Sequence, residues 1–271
     1  MQIEDFIQTL MSYYQASGRH DLPWRLPEVD GSFDPYKILV SEIMLQQTQV
    51  PRVLPKYEAF IREFPTVQTL AAAPLGAVLV AWQGLGYNRR AKYLWQAAQM
   101  VVQEFGGVLP HTQQALVRLP GIGANTAGAV MAYAYNEPVP FVETNIRTVY
   151  IHHFFHDQTS VADKDIVALV AASLQAEGSA RTFYWALMDY GTHLKQTVGN
   201  KSRASVSYAR QSKFAGSVRQ LRGKALRALA GGPLDETALI TLLSDERSSV
   251  VLAAMAGEGM VRRHHGLVEL P

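Results

Sequence analysis

Two glutamates stand in surroundings that push a carboxyl in opposite directions. Glu42 lies among Ile38, Leu39, Val40, Ile43, Met44 and Leu45, so whichever face of a helix it occupies has apolar neighbours. Desolvation penalises the anion, and a carboxyl so placed keeps its proton towards neutral pH, as a general acid requires. The bland alternative for this segment alone is a surface glutamate on an amphipathic helix. Glu143 sits between the apolar pair Phe141-Val142 and Thr144, where a helix is expected to begin. The positive end of the helix dipole favours an ionised carboxylate there. One acid and one anion is the expectation; the alternative for Glu143 is an ordinary residue near an N-cap.

A third segment, Leu119-Pro120-Gly121-Ile122-Gly123-Ala124-Asn125-Thr126-Ala127-Gly128, has two glycines at i and i+2 feeding an alanine-rich helix. Backbone N–H groups at such a helix start point outward with no side chain in the way, a geometry suited to phosphate. With an apolar helix predicted over 113–119 and another over 124–135, this is a helix-hairpin-helix arrangement, which grips duplex backbone without reading its sequence. A plain helix–helix corner is the competing interpretation.

The elements that position these residues are helical. Phe6, Ile7, Leu10, Met11 and Tyr14 form one apolar stripe, and Leu94, Ala97, Ala98, Val101 and Val102 another, both at three-to-four spacing. Asp34-Pro35 opens a helix through about Gln47; Pro65, Pro74, Gly106-Gly107, Pro138 and Pro140 punctuate the rest. Ten or more helices are expected before residue 200 and no alternating strand pattern, so the fold class is all-α. The chain has 271 residues, 48% of them apolar, enough to bury a continuous core.

The formal net charge of +2 hides an asymmetry: residues 1–200 carry 14 basic against 17 acidic residues, and residues 201–271 carry 11 against 6. From Lys201 to Arg227 there are eight basic residues and no acidic one. A domain boundary is placed here, giving domains 1–205 and 206–271. Beyond it the order of three short helices and a hairpin around His264-His265-Gly266 predicts a small winged helix, with a helical cap as the alternative.

The absence of cysteine excludes a disulfide framework, a thiolate zinc site, a catalytic thiol and a cysteine-ligated iron–sulfur cluster. No 18-residue apolar run and no basic-then-apolar N-terminus occur, so a soluble, unexported protein of the reducing cytoplasm is expected. His152, His153 and His156 invite a metal reading, but no third ligand at suitable spacing follows.

Residues 23–30 and 34–195 resemble the helix-hairpin-helix DNA glycosylase superfamily, and within it the MutY-type adenine glycosylases. The stretches that carry the resemblance are Pro23-Trp24-Arg25, Ser41 to Val50, Gly84-Leu85-Gly86-Tyr87 with Arg90-Ala91, Leu119 to Gly123, Thr126-Ala127-Gly128 and Met188-Asp189-Tyr190-Gly191. The resemblance implies a two-lobed all-α body with the active site in the cleft between lobes. It gives Glu42 the role of protonating adenine at N7, and Glu143 the place of the family aspartate that stabilises positive charge on the sugar and helps position water. Asn125 occupies the position of the Schiff-base lysine of bifunctional relatives, which disfavours a lyase step.

Gln47, Tyr87 and Asn88 fall where the family wedges the duplex open. Leu119, Gly121, Ile122 and Gly123, with Thr126, fall where it holds a DNA phosphate. A monovalent cation often mediates that contact at the backbone of Leu119, Gly121 and Ile122; no side-chain metal site and no other cofactor is implied. Arg90, at a predicted helix start, is assigned to a backbone phosphate, with a solvated face as the alternative.

Three departures qualify the resemblance. Glu143 replaces aspartate, moving the carboxylate by about one bond length, a misplacement of the kind that costs about a hundredfold in rate. The four cysteines of the family cluster are missing, and the basic residues Arg210, Lys213, Arg219, Arg222, Lys224 and Arg227 are assigned its phosphate-binding role. About 60 mostly helical residues stand where the family carries a β-rich domain that checks for 8-oxoguanine. The expected function is a monofunctional, monomeric glycosylase acting on double-stranded DNA, with adenine opposite 8-oxoguanine or guanine as the leading substrate. The alternatives are uracil or thymine opposite guanine, or a non-catalytic DNA-binding protein.

Overall fold

The computed structural model describes residues 1–271. Eleven helices precede residue 200: α1 (Ile3–Ser17), α2 (Pro35–Leu45), α3 (Val50–Glu63), α4 (Val67–Ala72), α5 (Leu75–Ala81), α6 (Arg89–Glu104), α7 (Gln113–Leu116), α8 (Ala124–Tyr135), α9 (Thr144–Phe154), α10 (Asp163–Glu177) and α11 (Ala180–Thr197). They are followed by α12 (Val218–Leu229), β1 (Leu234–Asp235), α13 (Glu236–Leu243), α14 (Ser248–Gly257), β2 (Arg262–His264) and β3 (Leu267–Glu269). The all-α expectation holds, with one small antiparallel sheet of order β1-β3-β2.

The chain forms two compact units: residues 1–42, 110–118 and 122–210 make the first, and residues 43–109, 119–121 and 211–271 the second. In the first, α11 is the central helix, its Phe183, Tyr184, Ala186 and Leu187 fully buried. Gly191 lets α9 come close, because a Cβ there would stand 2.6 Å from the carbonyl oxygen of Asn145. The Tyr184 ring stacks on Phe141 at 4.1 Å, and its hydroxyl donates to the Val139 carbonyl at 2.9 Å while accepting from the Phe141 N–H at 3.1 Å. One buried phenol thus pins the segment that leads into Glu143.

In the second unit, α6 buries Leu94, Ala97, Ala98 and Val101 of the stripe read from the sequence, together with Ala91, whereas Val102 of that stripe is exposed. The C-terminal elements run helix, strand, helix, helix, strand, strand, the order of a winged helix. Ser217 and Asp235 supply N-caps for α12 and α13, accepting from the backbone N–H groups of Gln220 and Ala238. His265 at φ 48° and Gly266 at φ 79° turn the hairpin between β2 and β3.

Two boundaries differ from expectation. The helix predicted over 113–119 ends at Leu116, because the chain must already be turning when it meets Pro120 and the left-handed Gly121. The helix opened at Pro35 ends at Leu45, two residues early, and Gln47 adopts φ 56°.

Candidate active site and nucleic-acid interface

Glu42 lies in the last turns of α2, and only part of the residue reaches solvent. The protein packed around its carboxyl desolvates it, and the nearby Glu143 adds a like charge; together these push its pKa well above the carboxylate range, against the pull of Arg25. Glu143 is the N-cap residue of α9, yet its side chain makes no capping hydrogen bond. The ordinary reason for an acidic residue at that position is therefore absent.

The expectation of opposite environments needs correcting. Burial raises the Glu143 pKa too, but Arg147 and Lys195 act against it. Two carboxyls in one desolvated region cannot both ionise cheaply, and the cations stand beside Glu143. Burial thus favours the neutral form of both carboxyls, and more strongly that of Glu42, because the cations act on Glu143.

The supporting shell is ionic. Asp189 on α11 receives two hydrogen bonds from the Arg25 guanidinium, at 2.8 and 2.9 Å, and further ones from the backbone and side chain of Arg19. Burial pushes the Asp189 pKa up, but these arginines outweigh it and hold the carboxyl below its ordinary range. The Arg25 guanidinium also lies 5.5 Å from the centre of the Trp185 ring. Lys195, pushed down to about 8 by burial, donates to Asn145 Oδ1. Arg147 is held by Asp163, with Nε to Oδ1 at 2.8 Å and Nη2 to Oδ2 at 2.6 Å.

Asn125 stands exposed at the start of α8 and donates through Nδ2 to the Val142 carbonyl at 2.9 Å. Around the hairpin, Leu119 and Ile122 bury their side chains, while Gly121, Gly123 and Asn125 are exposed and Thr126 is half-buried. Gly121 is required twice over: its φ is +77°, and a Cβ would meet the Tyr93 side chain at 2.6 Å.

The second unit assembles the other sequence-predicted residues. Gln47, Tyr87 and Asn88 line a pocket of about 420 Å³ together with Arg219 and Arg222 from α12. Neither Glu42 nor Glu143 lines it. Arg90 does, but it is buried, and its guanidinium donates to the carbonyls of Ile43, Met44, Gln46, Leu85 and Gly86 and to Thr48 Oγ1. It satisfies the open carbonyls at the end of α2 and locks the Gly84–Gly86 turn, so the phosphate contact assigned to it is replaced by a scaffolding role. Arg222 pairs with Glu258, which Arg89 also holds. Arg210 and Lys213 are exposed, as are Lys224 and Arg227, while Arg219 is half-buried.

The sequence reading missed the Arg19–Asp189–Arg25 network, Arg147, Lys195 and Glu258. Arg25 and Asp189 lay in recognised stretches, but 164 residues separate them, and their pairing follows only from the packing of α11.

No group of three or more His, Cys, Asp or Glu side chains is arranged to hold a metal ion. His153 instead stacks on Tyr190, with Nε2 3.1 Å from its hydroxyl, and burial lowers its pKa to about 4. No helix is long and apolar enough to cross a membrane.

Comparison with known proteins agrees with this geometry. Residues 40–171 match the HhH-GPD superfamily of base excision DNA repair proteins. The chain is 40% identical over 239 residues to an adenine DNA glycosylase of Mycolicibacterium smegmatis, covering 81% of this chain and 78% of that protein. The chain belongs to the HhH-GPD superfamily. An adenine DNA glycosylase of Mycobacterium tuberculosis is 41% identical over 185 residues, 67% of this chain and 59% of that one. Among solved structures, a thermostable thymine-DNA glycosylase superposes with a TM-score of 0.60 at 27% identity, covering 70% of this chain and 85% of that one. The matched span of the superfamily contains Glu42, the hairpin and Glu143, so the residues singled out for chemistry lie within the shared part.

Proposed function

We propose that this chain is a monofunctional adenine DNA glycosylase that removes adenine mispaired with 8-oxoguanine or guanine from double-stranded DNA. The observation that carries the reading is the pairing of a protonated Glu42 with Glu143, whose carboxyl is left uncapped at a helix start beside two cations. The names of the mycobacterial relatives support adenine as the base.

In this reading adenine is swung out of the duplex and Glu42 delivers its proton to N7. The bond between the sugar C1′ and N9 then breaks, its electron pair leaving with the base. The Glu143 carboxylate faces the oxocarbenium-like sugar and stabilises it. Water adds at C1′ and gives its proton to Glu143, leaving an abasic site. Asn125 offers no amine for a Schiff base and serves as a tether.

We assign the duplex backbone to the hairpin, where Leu119 and Ile122 are turned inward and Gly121 and Gly123 carry no side chain. A monovalent cation bound there by backbone oxygens of Leu119, Gly121 and Ile122 would supply positive charge for a phosphate. Residues 206–271 are read as an added module that contributes basic residues, and the protein as a cytoplasmic prokaryotic monomer.

The test is a panel of end-labelled duplexes, each with one mispair or lesion, incubated with protein and heated in alkali. Strand breaks at adenine opposite 8-oxoguanine or guanine, abolished by Glu42→Gln with duplex binding retained, are expected. Breaks at uracil or thymine instead would reassign the base, and no breaks on any duplex would leave only a DNA-binding protein.

A further inference from the structure

A third titratable group stands with the carboxyls of Glu42 and Glu143. Tyr133 lies on α8, about two turns beyond Asn125, and is 4% exposed. Its ring is fixed by other rings: it stacks on Trp185, 6.1 Å away and inclined by 13°, and meets Phe141 and Tyr184 edge-on, both at 6.4 Å. Phe141 stands two residues before Glu143, and Trp185 carries on its face the Arg25 guanidinium that acts on Glu42. The phenol therefore belongs to the wall that holds both carboxyls.

Nothing in the protein occupies its hydroxyl. The neighbouring phenol of Tyr184 bonds Val139 and Phe141, whereas the Tyr133 hydroxyl makes no hydrogen bond. Nor is it one of the sealed polar atoms without a partner, which are Arg25 Nε, Arg90 Nε and the Tyr150 hydroxyl. A buried residue whose polar tip is neither bonded nor sealed opens that tip on a space that water or a ligand can enter. The carboxyls of Glu42 and Glu143 are in the same condition, on half-buried residues and with no hydrogen bond of their own.

The charged or titratable groups around the phenol are Glu42, Glu143, Arg25 and Tyr184. Burial first, then the charges of Glu42 and Glu143, push the Tyr133 pKa well above that of a free phenol, so the hydroxyl keeps its proton at any working pH. It is a lasting donor beside an acid assigned to lose its proton. Both Nη atoms of Arg25 are already bonded, to Asp189 and to the Arg19 carbonyl. The uncommitted donor next to Glu42 is the phenol.

We propose that Tyr133 is a positioning residue for proton delivery, its hydroxyl donating to the Glu42 carboxylate as soon as the acid has passed its proton to the base. This rests on the glycosylase reading above for the destination of the proton. The lone pair of adenine N7 takes that proton, the electrons of the broken O–H bond stay on Glu42, and Tyr133 turns its own O–H to the new anion without giving the proton up. An anion formed in a desolvated place is costly, and a hydrogen bond to it offsets part of that cost.

The test is Tyr133→Phe, which removes the hydroxyl and keeps the ring stack. Because that hydroxyl bonds nothing in the resting protein, the melting temperature should hold. Two measurements compare the variant with the parent chain. The first is titration of the Glu42 carboxyl by carbon-13 NMR, its signal assigned by its loss in Glu42→Gln; it needs no substrate and no excision. Without the donor the anion is less favourable, so Glu42 should titrate about one pH unit higher in Tyr133→Phe. The second is single-turnover excision of adenine across pH. The limb on which activity falls as Glu42 ionises should move to higher pH, and the plateau rate should drop about tenfold with duplex affinity unchanged.

A Glu42 titration unmoved in Tyr133→Phe would overturn the proposal, as would a change confined to the limb set by Glu143, which would give the hydroxyl to that carboxylate. A rate loss matched by an affinity loss, with both limbs in place, would make Tyr133 a contact of the bound DNA and overturn it too. Failure of the parent chain to excise adenine would instead sink the glycosylase reading, leaving the carboxyl titration to decide this one.

Discussion

The side-chain amide of Asn125 donates to the Val142 carbonyl at 2.9 Å, so the start of α8 holds the backbone one residue ahead of Glu143. The Tyr184 hydroxyl holds the backbone of the same segment at Val139 and Phe141. Removing the tether leaves Glu143 free to shift, and misplacement by a fraction of an ångström is costly at a reacting centre. Asn125→Ala should therefore lower the single-turnover excision rate by about tenfold or more while duplex affinity changes little. An affinity loss that matches the rate loss would instead assign Asn125 to DNA contact.

The pH–rate profile should have a rising limb from Glu143, which must ionise, and a falling limb from Glu42, which must stay protonated. Burial and the Glu143 charge lift the falling limb well above the ordinary carboxyl range. Lys195 favours the Glu143 anion, so Lys195→Met raises the pKa of Glu143 and moves the rising limb to higher pH. Lys195→Arg should leave that limb in place. Excision rates of the three proteins measured across pH decide the matter, and a rising limb unmoved in Lys195→Met would remove Lys195 from the site.

The Arg25–Asp189 pair is buried on both sides, with side chains 4% and 2% exposed. Removing one charge strands the other, at a cost of about 3 kcal/mol or more. Asp189→Asn should lose that much in urea unfolding at neutral pH. The depressed Asp189 pKa means that its stabilisation is present above the unfolded value of about 3.9 and disappears as the pH falls through the lower folded value. Acidification through that range should therefore destabilise the parent more than Asp189→Asn, narrowing the gap between them.

The sequence disclosed what depends on local chemistry, and it failed where distant segments meet. The desolvated setting of Glu42 was legible because its apolar neighbours are adjacent in the chain, and the left-handed hairpin turn because Gly121 announces it. The expected anion at Glu143 was half right, since the dipole argument ignores the burial that raises its pKa. Arg90 read as a free cation because nothing near it in sequence reveals that the end of α2 lies within reach of its guanidinium. Glu258, 169 residues from Arg89, drew no attention as a lone acid in a basic tail.

Glu258 also divides the basic residues into two classes. Arg89 donates hydrogen bonds to it, and with the charge of Arg222 this outweighs partial burial and holds its carboxyl down at about 2. Arg222 is therefore neutralised at any working pH, whereas Lys213, Lys224 and Arg227 are exposed and make no ion pair. A cation bound to a DNA phosphate displaces a counterion, and the salt slope of log affinity falls by about one for each such cation taken away. Lys213→Glu, Lys224→Glu and Arg227→Glu, made singly, should each flatten that slope by about one without altering the fold. Arg222→Glu should behave differently: it places a second carboxylate against Glu258 and ought to lower thermal stability. Binding isotherms across a range of salt concentrations, paired with melting curves, separate the two classes. A parent slope retained in all three exposed variants would exclude the basic stretch from the DNA interface.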